Sequence, residues 1–89
     1  MPYEWDDLKR QANIAKHGVD FSLSKDFDWD QATDTEDDRR DYGETRRVVL
    51  GFIGARLHVL TYTKREGIYR VISLRKSNAR ERSSYETQT

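Results

Sequence analysis

Three segments of the chain alternate between apolar and polar side chains with a period of two, which places successive residues on opposite faces of a strand. They are 46–53 (RRVVLGFI), 56–63 (RLHVLTYT) and 68–75 (IYRVISLR). Gly54-Ala55 joins the first pair and Lys64-Arg65-Glu66-Gly67 the second. Links this short predict antiparallel hairpins. In the last segment, strict alternation predicts Arg70, Ile72 and Leu74 on one face, with Tyr69, Val71, Ser73 and Arg75 on the other. Tyr3-Glu4-Trp5 predicts a short first strand.

Other stretches carry a helical period. Asp6 or Asp7 suits an N-cap, because a short carboxylate accepts the free amides of a first turn. Leu8, Ala12 and Ala15 follow at i, i+4 and i+7, predicting one apolar stripe against the core. Gly18 suits the left-handed residue that closes a helix, with Lys16 and His17 in the last turn facing the negative end of the dipole. Ser22 suits the cap of a second, shorter helix with Leu23 and Phe27 on one face. Asn78 and Glu81 have the spacing of a capping box, so ARERSSYE is expected to form a C-terminal helix. Between Trp29 and Thr45 the pattern dissolves into WDQATDTEDDRRDYGET, read as a long polar connection, partly mobile. The expected order is β-α-α-β-β-β-α, an α+β domain over 1–89 with an antiparallel sheet packed by N-terminal helices and a C-terminal helix.

Composition narrows the function. With 89 residues there is room for one domain. No apolar run spans a bilayer and no signal-like start is present, which predicts a protein without membrane contact. The absence of cysteine removes disulfides and thiol nucleophiles and suits a reducing cytoplasm. Two histidines argue against a structural metal. Sixteen basic and sixteen acidic residues sum to zero, which taken whole argues against a nucleic-acid binder. Division at residue 45 reverses that inference. Residues 1–45 hold six basic and thirteen acidic side chains, 6 − 13 = −7, and residues 46–89 hold ten and three, 10 − 3 = +7.

No GxxxxGK[ST], HExxH or GxSxG motif occurs. Arginine instead concentrates on the last strand and the helix after it, at Arg70, Arg75, Arg80 and Arg82, with Lys76 among them. Guanidinium forks hold two phosphate oxygens and stabilise charge developing in phosphoryl transfer. Such runs also form plain solvated faces, and the residue pattern alone weighs the two readings equally. Arg82 and Tyr85 share a helix face at i, i+3. Tyr85 has two open roles: stacking on a base or covering the core. Lys9, Asn13, Lys16 and His17 form a polar face on the first helix, and His17 has the ordinary pKa suited to proton transfer. His58 has no assigned role. The acidic run 34–41 lacks the register of a calcium loop and reads as a shield for the basic half or a guide for a basic partner.

Together, Tyr3-Glu4-Trp5-Asp6 with Lys9 and Asn13, Lys16-His17-Gly18-Val19 with Phe21, Phe27-Asp28, Glu44-x-Arg46, Gly51, and Arg70-Val71-Ile72-Ser73-Leu74-Arg75 followed by Glu81-Arg82 and Tyr85 resemble the BrnT family of toxins from bacterial type II toxin–antitoxin pairs. The resemblance runs from residue 3 to 86. It implies a RelE-like ribonuclease fold and RNA cleavage that halts translation. It also implies an antitoxin that neutralises the toxin in a hetero-oligomer and alone binds operator DNA. Arg70, Arg75, Glu81, Arg82 and Tyr85 stand at the family's signature positions as candidate catalytic residues. Lys9, Asn13, Lys16, His17 and Arg46 stand as candidate RNA contacts. Leu74 departs from the family's usual alanine, and would fill core or crowd the site according to the face it takes.

The expected activity is that of a metal-independent endoribonuclease without a cofactor, because RNA carries its own nucleophile in the 2′-hydroxyl. Arg75 and Arg70 are expected to hold the scissile phosphate with Arg82 in support, Glu81 to act as base, and Tyr85 to stack or donate a proton. The rival expectation is a catalytically inactive toxin homologue that binds the antitoxin as a co-repressor module. A plain RNA-binding protein comes third.

Overall fold

A computed structural model of the chain describes residues 2–38 and 43–88. Along the chain these are β1 (Tyr3–Glu4), α1 (Asp7–His17), a 3₁₀ helix (Phe21–Asp26), β2 (Thr33–Asp37), β3 (Arg46–Ile53), β4 (Arg56–Arg65), β5 (Ile68–Lys76) and α2 (Ala79–Gln88). The fold is α+β, as expected. Its sheet has five strands in the order β1-β5-β4-β3-β2. β1 pairs with β5 in parallel, and all other pairings are antiparallel, so the sheet is mixed and not wholly antiparallel.

The punctuation read from local chemistry is present. Asp6 accepts the Lys9 amide at 3.0 Å, and Gly18 closes α1 with φ 71°. Asn78 and Glu81 form the reciprocal capping box, with the Glu81 amide donating to Asn78 Oδ1 (2.8 Å) and the Asn78 amide to Glu81 Oε1 (2.9 Å). The β4–β5 hairpin turns at Glu66-Gly67 with φ 51° and 81°, the pair of positive values that matches strand twist.

Three expectations are corrected. The stripe Leu8–Ala12–Ala15 faces solvent, with Leu8 75% exposed, and the buried residue of α1 is Asn13. The second helix is a 3₁₀ helix capped by Asp20, whose carboxylate accepts the Ser22 amide; Phe27 is buried beyond its end and Leu23 is partly exposed. The 29–45 connection contains β2, paired with β3 from Thr33↔Leu50 to Asp37↔Arg46. A strand this acidic has poor intrinsic propensity, but Arg47 Nε donates to Asp34 at 2.9 Å and the Tyr62 hydroxyl donates to the same carboxylate at 2.6 Å. Positions 39–42 of that connection lie outside the described residues.

The core occupies one face of the sheet. Val19, Phe21 and Phe27 pack there on Val49, Leu60, Tyr62, Val71 and Leu74. Trp29 joins it edge-to-face with Phe27, Tyr62 and Tyr69, and its Nε1 donates to the Tyr3 hydroxyl at 2.7 Å. No helix among the described residues is long and apolar enough to cross a membrane.

Strict alternation fails in β5. Leu60 pairs with Leu74 and Thr61 with Ser73, yet Tyr62 pairs with Val71, so Ile72 is an extra residue in a bulge. Val71 and Leu74, three apart, are therefore both buried in the core. Leu74 thus fills core and leaves the opposite face uncrowded.

Candidate active site

The face opposite the core carries an open basin of about 770 Å³. Its floor comes from Val48, Val59, Thr61 and Ser73, which alternate away from the core on β3, β4 and β5. Lys16 and His17 enter from the last turn of α1, Arg46 from β3 and Arg75 from β5. Glu81 closes one side from α2, and residues 35–38 of β2 and its end form an acidic wall. Residues far apart in the chain thus place four basic side chains, Lys16, His17, Arg46 and Arg75, around one concavity.

Arg75 is held by two parallel bonds. Its Nη1 and Nη2 donate to Glu81 Oε1 and Oε2 at 2.8 and 2.7 Å, the fork-on-carboxylate geometry that fixes a guanidinium plane. Glu81 Oε1 also accepts the Asn78 amide, so the capping residue of α2 is the residue that orients Arg75. These bonds, that from Arg75 foremost, hold the Glu81 carboxyl below the usual carboxylate range. Burial, with the charges of Lys16 and Arg75 beside it, pushes the His17 imidazole below its ordinary pKa of 6.5. His17 is therefore a neutral imidazole at pH 7, facing cations that suit an anionic ligand. Arg46 lies 3.9 Å from Glu44.

The remaining candidates lie elsewhere. Asn13 is buried against β5 with both ends of its amide bonded inside the chain, which excludes the RNA contact expected of it. Lys9 is exposed and lies outside the basin lining. Arg70 pairs with Glu4 at 3.6 Å on the β1 side of the sheet. Tyr85 is buried, meets Phe52 edge-on at 5.6 Å between ring centres and donates to the Gln31 carbonyl at 2.6 Å. Its core-covering reading is the one the packing adopts, and this removes it from base stacking. Arg82 and Tyr85 do converge, as their i, i+3 spacing requires, but on a separate groove with Phe52 and Leu57.

Sequence reasoning missed the wall formed by Thr35, Glu36 and Asp37. Its one signal was the alternation Thr33-x-Thr35-x-Asp37, submerged in the acidic run.

Residues 5–81 match the family model described as the ribonuclease toxin, BrnT, of type II toxin–antitoxin systems. Comparison with curated proteins gives no match.

Proposed function

Because the chain belongs to the BrnT family of ribonuclease toxins of type II toxin–antitoxin systems, we propose that the basin is where it cleaves RNA. The convergence of Arg75, Lys16, His17 and Arg46 from three separate elements carries this reading. Arg75, its Nη1/Nη2 edge held by Glu81, presents the remaining N–H groups of its guanidinium to the scissile phosphate, Lys16 and Arg46 add positive charge, and neutral His17 takes the proton of the 2′-hydroxyl. The freed oxygen attacks the adjacent phosphorus and the bond to the 5′-oxygen breaks. That oxygen takes a proton from water, and the hydroxide so formed is neutralised by the proton His17 took up, leaving neutral His17, a 2′,3′-cyclic phosphate and a 5′-hydroxyl end. Glu81, expected to be the base, is better suited to orienting Arg75, since a carboxylate with a lowered pKa and both oxygens engaged accepts a proton poorly. Arg70 and Arg82 act at most along the flanking RNA backbone.

The chemistry needs no metal, because the substrate supplies the nucleophile and fixed cations stabilise the phosphorane. We read the sheet with its flanking helices as a RelE-like arrangement, a reading supported by its α+β class. An antitoxin partner covers the basin in a cytoplasmic hetero-oligomer and contacts operator DNA on the pair's behalf. The matched family is one of ribonuclease toxins, so the inactive co-repressor reading has no support.

The test is cleavage of RNA by the purified protein in EDTA. Arg75→Ala is expected to lower the rate by about 10²-fold or more, the scale of losing one preorganised donor to a developing oxyanion. Undiminished cleavage by that variant overturns the assignment.

A further inference from the structure

An asparagine amide removed from water has four hydrogen-bonding sites to satisfy, and leaving them unmet is costly. Asn13, 7% exposed, meets most of that demand within the chain. Its Nδ2 donates to the Val19 carbonyl at 2.9 Å and to the Leu74 carbonyl at 2.7 Å. Its Oδ1 accepts the Leu74 amide at 3.3 Å. Both backbone groups of Leu74 are thereby engaged by one side chain, as a neighbouring strand would engage them. β1 pairs only with Tyr69 and Arg70, so farther along that edge the Asn13 amide takes the strand's place.

The location gives this bond its consequence. Leu74 immediately precedes Arg75, while Lys16 and His17 follow Asn13 at i+3 and i+4 on the same helix face. No other side chain of α1 is buried, and its apolar stripe faces solvent. Apolar packing by the side chains of α1 itself therefore does little to hold it on β5, and the Asn13–Leu74 ring ties the middle of the helix directly to that strand.

We propose that Asn13 is a positioning residue for the cleavage site, locking the last turn of α1 to β5 so that His17 and Lys16 face Arg75 across a fixed gap. This rests on the basin being the site. Asn13 itself touches no reacting atom.

The two histidines report on it separately. In the native protein the charged groups bordering the basin around His17 are Lys16 on its own helix, Arg75 on β5, Arg46, Glu36, Asp37 and Asp38 across the basin and Glu81 on α2. His58 stands buried in the sheet, paired with Gly51 and Lys76. In Asn13→Ala, followed by imidazole NMR titration, the His17 midpoint is expected to rise toward the ordinary value while that of His58 stays in place. kcat is expected to fall at least tenfold, with KM for RNA changing less than threefold. A folded variant whose His17 midpoint and kcat both match wild type overturns the proposal. Should Asn13→Ala not fold, amide exchange in the wild-type protein decides. Leu74 N–H, which donates to Asn13 Oδ1, is expected to be protected like the ladder amides, and exchange at the rate of an open edge overturns the proposal. If Arg75→Ala and His17→Ala cleave normally, the site reading fails, while the His17 titration still shows whether Asn13 sets the gap.

Discussion

The two faces of the sheet are held by different chemistry. On one, Phe21, Phe27, Leu60, Val71 and Leu74 make a dry core continued by the rings of Trp29, Tyr62 and Tyr69. On the other, α2 is fixed by the Arg75–Glu81 fork, the Tyr85 hydroxyl and the Tyr85 ring on Phe52, while the Asn13 amide ties α1 to the edge of β5. Apolar burial is non-directional and supplies most of the folding free energy. Hydrogen bonds contribute less but specify distance and angle. A chain of this length can therefore concentrate its stability on one face and leave the other concave, charged and open.

Substitutions that separate the faces test this division. The largest effect on folding is expected from Phe21→Ala, which empties a fully buried site and should cost about 3–5 kcal/mol in urea unfolding. A cost near that of a surface change would place the stability elsewhere. Arg75→Ala should do the reverse, keeping stability within about 1 kcal/mol while cleavage falls about 10²-fold. Comparable losses in both would show that the basin face is part of the core's cooperative unit. Gly51→Ala should be intermediate, at about 1–3 kcal/mol, because a Cβ there would lie 2.5 Å from Cζ of the buried Phe27 ring.

Acid should weaken both faces for one reason. Burial foremost depresses the pKa of His58, whose Nδ1 donates to the Arg56 carbonyl at 2.8 Å, and burial likewise depresses His17. The unfolded chain then binds protons at higher pH than the folded one, so stability is full above the ordinary value of about 6.5 and falls as pH drops through the lowered folded pKa values. His58→Gln should flatten that slope in pH-dependent urea unfolding, and an unchanged slope would assign it to other groups. Cleavage should lose rate on the acid side with a midpoint below 6.5, which a pH–rate profile measures. The smallest effect is expected from Leu8→Gln: within about 0.5 kcal/mol, because this leucine is 75% exposed. A larger loss would restore the apolar stripe of α1 to the core.

How legible each feature was depended on how local its cause is. Asp6, Gly18 and the Asn78–Glu81 box act within one turn of backbone, and the chain carries them openly. The strands of β3, β4 and β5 announce themselves by alternation and short links. Of the site, Lys16, His17, Arg46, Arg75 and Glu81 were nominated and lie around one basin, whereas Asn13 and Tyr85 were nominated for polar or aromatic character that the packing uses internally. An amphipathic pattern states that a helix has two faces without stating which one the sheet receives. In α1 the answer is the polar one, because a single asparagine there meets the open backbone groups of Leu74.

By itself, then, the sequence determined the caps of α1 and the capping box of α2, the hairpins, the family and the separation of charge into a −7 and a +7 half, since each depends on residue identity and short spacing. Tertiary structure alone decided that Thr33–Asp37 is a strand, that Ile72 bulges and brings Val71 and Leu74 into one core, and that α1 turns its lysine and histidine toward Arg75. Those outcomes depend on partners 13 to 61 residues away in the chain (Arg47 and Tyr62 for Asp34, Leu74 for Asn13), and hydrogen-bond complementarity between such distant groups exists only once the sheet has assembled.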